Sequence, residues 1–207
     1  MRGLRSETSV PARPVYERLE AVRAYAALTL TASGERDDAM DALARYCTCE
    51  ASLAADGLVG TAQAEWLDRV RDDLDNYRCA LGWLIERDRP TEAAHILWAM
   101  WPFWFTRGYV VEGRSWYEKT LNLSSISPAA ESRALVGAAF MCYSQRELAL
   151  ARTRLNRAID LAGSVDEAQV VALAENLSGR VEHAFGDVES ARTQFARSAE
   201  RYRALSI

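Results

Sequence analysis

The stretch Ile96–Leu121, ILWAMWPFWFTRGYVVEGRSWYEKTL, decides the fold. It carries four of the chain's six tryptophans. An apolar, aromatic run ends at Thr106-Arg107-Gly108. A second run then places Val111, Trp116, Tyr117 and Leu121 at helical spacing. Gly108 is a natural helix terminator, because a residue without a side chain takes the left-handed conformation cheaply. Two helices joined this tightly pack antiparallel. Pro102 inside the first run predicts a bend rather than an end, since the apolar pattern continues through it.

Outward from this hairpin the chain reads as helix throughout. Upstream, Val15–Ser33 is a helix closed by Ser33-Gly34, and a second runs from Asp37-Asp38 to about Asp56. A third begins at Thr61 or Ala62 and breaks near Asp72 to Asp75. The turn Asp88-Arg89-Pro90 precedes the aromatic run, with Thr91 read as the cap. Downstream come Val110–Leu123, Pro128–Ser144, Glu147–Ala162, Glu167–Phe185 and Val188–Leu205. Pro128 suits a first helical position. No segment alternates with strand period, so the fold class is all-α.

The second helices of the downstream pairs share a small-large-small triplet: Gly113, Tyr117, Thr120; Ala151, Leu155, Ala158; Ala191, Phe195, Ser198. Each has spacing four then three, which is one helix face. Gly179 precedes the turn glycine Gly186 in the last pair. Together these predict a right-handed α-solenoid of antiparallel helix pairs resembling tetratricopeptide repeats, although their period exceeds the usual ~34 residues. The organisation expected is a disordered tail over 1–14, an N-terminal helical segment over 15–60, and the repeat domain over 61–207.

Composition narrows the function. The chain has 207 residues, 49% hydrophobic and 26% charged, with a net charge of -4. That balance argues against nucleic acid as a direct partner, which needs a clustered positive surface. No apolar run approaches the ~20 residues that span a bilayer, and the N-terminus has no apolar core of a signal peptide. A cytoplasmic protein without membrane contact is expected. Cys47, Cys49, Cys79 and Cys142 fit neither a zinc site nor a disulfide framework, and reduced core thiols are expected. The two histidines, His95 and His183, lack metal-site spacing. No nucleophile motif is present. The reading is therefore of a non-enzyme with no metal and no cofactor.

A family resemblance adds to this. Trp66-Leu67, Asp75-Asn76-Tyr77-Arg78, Ala80-Leu81-Gly82-Trp83, Leu97-Trp98 through Trp104, Arg107-Gly108 and Glu112-Gly113-Arg114-Ser115-Trp116 resemble the helical sensor region of bacterial STAND-class signal-transduction ATPases, including LuxR-type regulators. The segment Tyr16–Ala26, followed by Ser33-Gly34-Glu35, resembles the chain leaving the winged-helix module of those proteins. The resemblance covers most of Tyr16–Leu205, but beyond Trp116 it is only tetratricopeptide-like. The phosphate loop G-x-x-x-x-G-K-[ST] of the family is missing, and no basic recognition helix follows the repeats. The resemblance implies a fragment or short relative of a regulator, retaining the part that binds inducers, partner proteins or neighbouring protomers.

The site expected is a concave groove lined by the first helix of each pair. It takes His95, Trp98, Pro102 and Phe105 from the first pair, and Arg133, Val136, Phe140 and Tyr143 from the second. The third gives Asn176, Arg180 and His183. Phe105, Phe140 and Tyr143 are read as an apolar wall, and Arg133 and Arg180 as exposed holders of an acidic group, which arginine's planar fork suits. Asn176 and His183 would fix orientation. The partner expected is a protein or peptide with acidic side chains, or a small effector. Solvated surface is the plainer reading of the Asn176-Arg180-His183 stripe, and interhelical packing that of the tryptophans. A structural spacer or self-association module, such as a homodimer, remains the other reading of the whole.

Overall fold

The computed structural model describes residues 20–205, and these form ten helices. They are α1 (Glu20–Ser33), α2 (Arg36–Gly57), α3 (Gln63–Asp72), α4 (Leu74–Glu86), α5 (Pro90–Thr106), α6 (Val110–Leu121), α7 (Pro128–Ser144), α8 (Leu148–Ser164), α9 (Ala168–Phe185) and α10 (Val188–Ala204). No strand occurs among the described residues. The expected tail over 1–14 and the expected helix start at Val15 lie outside them.

The chain divides into two compact units, meeting in sequence between Trp83 and Leu84. In the first, α2 buries Ala44, Cys47, Ala51 and Ala54 along one stripe. Its end lies against α3: a Cβ on Gly57 would come within 2.1 Å of the Trp66 indole. Arg69 stacks on that indole at 4.8 Å and pairs with Glu50 at 2.7 Å. The Trp83 indole N–H donates to Asp41 at 2.8 Å, tying α4 to α2.

The second unit is a series of helix pairs. α5 packs on α6 and α7; α7 packs on α8 and α9; α9 packs on α10. α6 also packs on α7, and α8 on α9. The first helices thus lie side by side, and α6 and α8 each bridge two of them. Most turns use one left-handed residue: Asp88, Gly108, Arg146, Asp166 and Gly186, with φ of 51°, 78°, 65°, 57° and 88°. After four of them the next amide reaches back five residues, as in Arg89 N–H to the Leu84 carbonyl (2.8 Å) and Glu147 N–H to Cys142 (2.9 Å). This closure satisfies carbonyls that a helix end leaves open. The α6–α7 connection instead relies on Ser127, whose hydroxyl accepts from the Ala130 amide.

The core follows the triplets. Gly113, Tyr117, Thr120, Ala151, Leu155, Ala158, Ala191 and Ser198 are buried, while Phe195 keeps 37% exposure. Gly179 meets the Phe195 ring as a close crossing requires: an added Cβ would sit 2.7 Å from it. Two expectations change. Thr91 is not the cap of α5; the helix begins at Pro90, and Arg89 grips Glu92 with Nε and Nη2. Cys49 and Cys79 are exposed, so only Cys47 and Cys142 are core thiols. α5 continues through Pro102, which is itself buried.

Candidate functional site

The turns set the register of the α5–α7–α9 face. Gly108, Arg146 and Gly186 end the three helices and stand 38 and 40 residues apart. Equivalent positions then form rows across the face. One row is Trp98, Val136, Asn176; the next is Pro102, Phe140, Arg180; the third is Phe105, Tyr143, His183. Each row runs from apolar on α5 to polar on α9, but Val136 and Pro102, expected to line the groove, are buried beneath the surface by helix packing.

At the apolar end, the Trp101 and Phe140 rings stack with centroids 4.4 Å apart and planes 13° apart. Phe105 meets Phe140 edge-on at 6.2 Å. Phe140 is left with 3% exposure. It therefore backs the wall from beneath, and Phe105, at 40% exposure, with half-buried Trp98, Trp101 and Tyr143, presents the surface. Such a cluster is rigid and apolar, with aromatic contacts stabilising it beyond area burial by ~0.5–1.5 kcal/mol per pair.

His95 and Arg133 come together at the start of this face. Burial lowers the His95 pKa from its usual 6.5, and the Arg133 charge lowers it further. The imidazole is thereby held neutral. Arg133 was expected to be exposed; it is half-buried, and its Nη2 bonds Glu167 at 2.6 Å. Glu167 sits at the N-terminal cap position of α9. This pairing engages the guanidinium with a carboxylate of the chain itself.

The polar end is open. Arg180 and His183 are exposed and Asn176 is half-buried. The Arg180 Nε donates to the Asn176 Oδ1 at 3.2 Å, across one helical turn. Six of the other nine expected residues fall into three pairs: His95 with Arg133, Phe105 with Phe140, and Asn176 with Arg180; Trp98, Tyr143 and His183 share the face through the register alone. Trp101 and Glu167 belong to the face and were not in the expected set. Trp101 lies one residue off the row that holds Pro102, and its stacking partner stands on another helix. Glu167 repeats the place of Glu147, which the Arg114 guanidinium grips with two hydrogen bonds.

Among the described residues no group of three His, Cys, Asp or Glu side chains converges to hold a metal ion, and no helix is long and apolar enough to cross a membrane.

Comparison with known proteins gives one consistent likeness. The chain is similar to proteins described as HTH-type transcriptional regulators, one from Mycobacterium bovis and two from Mycobacterium tuberculosis strains. The identity is 33% over 140 residues, which is 62% of this chain. The chain spans 15% of the length of these relatives. No family model matches it. No solved structure matches it either.

Proposed function

We propose that this chain is a non-catalytic sensor and interaction domain of a bacterial transcriptional regulator of the STAND or LuxR type. In this reading the helix pairs stack as a tetratricopeptide-like solenoid in a cytoplasmic protein. The α5–α7–α9 face is its concave surface and takes a peptide or protein segment with an apolar part and an acidic part. The observation that carries the proposal is the row order. Apolar side chains at the α5 end and hydrogen-bonding ones at the α9 end make a directional surface, which fits recognition better than plain solvation. The likeness to mycobacterial regulators supports the regulatory setting. This segment needs neither a cofactor nor direct contact with DNA for that role.

The test is Arg133→Ala combined with Arg180→Ala, assayed against a partner recovered with the wild-type domain. Folding survives, because neither side chain fills the core, and binding weakens at least about tenfold, or ~1.4 kcal/mol. Undiminished binding rejects the face as the recognition surface. A second reading, a spacer that fixes geometry or self-associates, is favoured by the Trp101–Phe140 stack and the Arg133–Glu167 pair, which fill part of the face from within. A domain that recovers no partner but elutes as a dimer supports that reading.

A further inference from the structure

The side of α6 opposite its buried residues Gly113, Tyr117 and Thr120 carries a cavity of about 480 Å³, lined by residues of the second unit alone. Tyr109, Val111, Ser115 and Trp116 form its walls, and Lys119 stands at one end. Two of the walls are held in place. The Tyr109 ring stacks on buried Phe103 with centroids 5.4 Å apart and planes 13° apart. The Trp116 indole N–H donates to Glu112 at 3.3 Å, and the Lys119 ammonium lies over the indole, 4.5 Å from the ring centroid. Val111 is 74% exposed. The volume is that of a small-molecule site, and so is the lining, which is mostly apolar with a few placed polar groups.

Lys119 is the chain's only lysine. In the register set by the turns, its counterpart on α8 is Arg157, and that of Trp116 is Arg154. Both arginines are taken by carboxylates, Arg154 by Glu118 and Arg157 by Glu131. Lys119 takes part in no ion pair among the described residues. Glu112 does not serve as its counter-ion, because two helical turns, about 10 Å along the axis, separate them. Packing between the pairs accounts for the paired arginines of α8. It does not account for a cation without a carboxylate beside an open apolar wall.

We propose that this cavity binds a small aromatic carboxylate, free in solution, with its ring against Val111 and Trp116 and its carboxylate on the Lys119 ammonium. A flat ring suits the indole and phenol walls, which favour offset or edge-on aromatic contacts. The ammonium has three donors, and its attraction to the indole face leaves donors for a carboxylate. Ser115 is exposed one turn before Lys119 and adds a hydroxyl donor. Charge sets the direction of binding: Lys119 attracts the acid at one end, and Glu112 repels it at the other. The site is distinct from the α5–α7–α9 face and does not depend on a ligand there.

The probe is naphthalene-2-carboxylate, added to the full chain. With a single lysine present, acetylation by an N-hydroxysuccinimide ester and mass spectrometry read this site directly, with the α-amino group as internal control. The probe should slow acetylation of Lys119 saturably and leave the α-amino group unaffected. In calorimetry, Lys119→Met and Val111→Asp should each weaken its binding at least about tenfold, the scale of one charge-assisted hydrogen bond. Both positions are exposed, so the variants keep their fold, which melting curves check. Naphthalene-2-methanol, the neutral analogue, should bind wild type at least about tenfold more weakly than the acid does and ignore Lys119→Met. The combined Arg133→Ala, Arg180→Ala variant should bind the probe as wild type does, which separates this site from the α5–α7–α9 face. Absence of saturable protection, equal affinity for the neutral analogue, or indifference to both substitutions overturns the proposal. So does protection of Lys119 that arises without the probe as protein concentration rises, because a second copy of the chain then covers the cavity.

Discussion

Gly137→Ala adds one methyl group at the tightest helix crossing of the second unit. The new Cβ would lie 2.3 Å from Cε1 and Cζ of Tyr117 and 2.5 Å from its hydroxyl. Carbon atoms need about 3.5 Å. The ring cannot slide away freely: it is fully buried, and its hydroxyl donates to the Leu97 carbonyl at 2.8 Å. Overpacking costs ~1–3 kcal/mol. Pulling the hydroxyl off Leu97 leaves buried polar atoms unmatched, at ~1–3 kcal/mol. Against this, alanine is favoured over glycine inside a helix by ~1 kcal/mol. The net expectation is ~2 kcal/mol of destabilisation. At ~2–4 °C per kcal/mol for a domain of this size, the melting midpoint falls by ~4–8 °C. Circular dichroism melts read this directly. Tyr117→Leu makes room by installing the residue type that Leu155 supplies at the equivalent place. The double variant should therefore lose less than the sum of the singles, a coupling that a mutant cycle isolates. An unchanged or raised midpoint for Gly137→Ala would refute the crossing.

Gly113→Leu should also destabilise, by ~1–3 kcal/mol, because even a Cβ there would meet the Trp104 side chain at 2.9 Å and Met141 Sδ at 3.3 Å. An unaltered denaturant midpoint counts against it. His95 gives a pH dependence. Its folded pKa lies below 6.5, so the unfolded chain takes up a proton first as pH falls; the contribution is present above 6.5 and declines below it. His95→Gln should flatten the stability loss between about pH 7 and about pH 5, and parallel curves for the two proteins would contradict the neutral imidazole.

What the sequence revealed depended on where its physics was local. Pro128, Gly108 and Gly186 each fix a helix boundary through their own backbone preferences, and those boundaries hold. The turns at Asp88, Arg146 and Asp166 do the same work with residues that rarely take positive φ. Only the regular spacing with Gly108 and Gly186 could have exposed them. Triplet residues were legible because small and large side chains alternate on one helix face. Gly137 was not, since it lies within the apolar run Ala134–Met141 and its reason for being glycine, the Tyr117 ring, stands 20 residues upstream. The site was legible as rows but not as contacts. Phe140 was placed on the correct face, yet its burial depends on Trp101 from another helix, and the Arg133 charge is taken by Glu167, 34 residues away.

The most direct test of the α5–α7–α9 face as a recognition surface is amide hydrogen exchange of the full chain with and without a recovered partner. Backbone amides of residues 90–106, 128–144 and 168–185 should slow on binding, most at the solvent-facing turns around Phe105, Tyr143 and Arg180. Those of α6, α8 and α10 should stay as they were. Protection confined to α6, α8 or α10, or spread evenly over both layers, would contradict it.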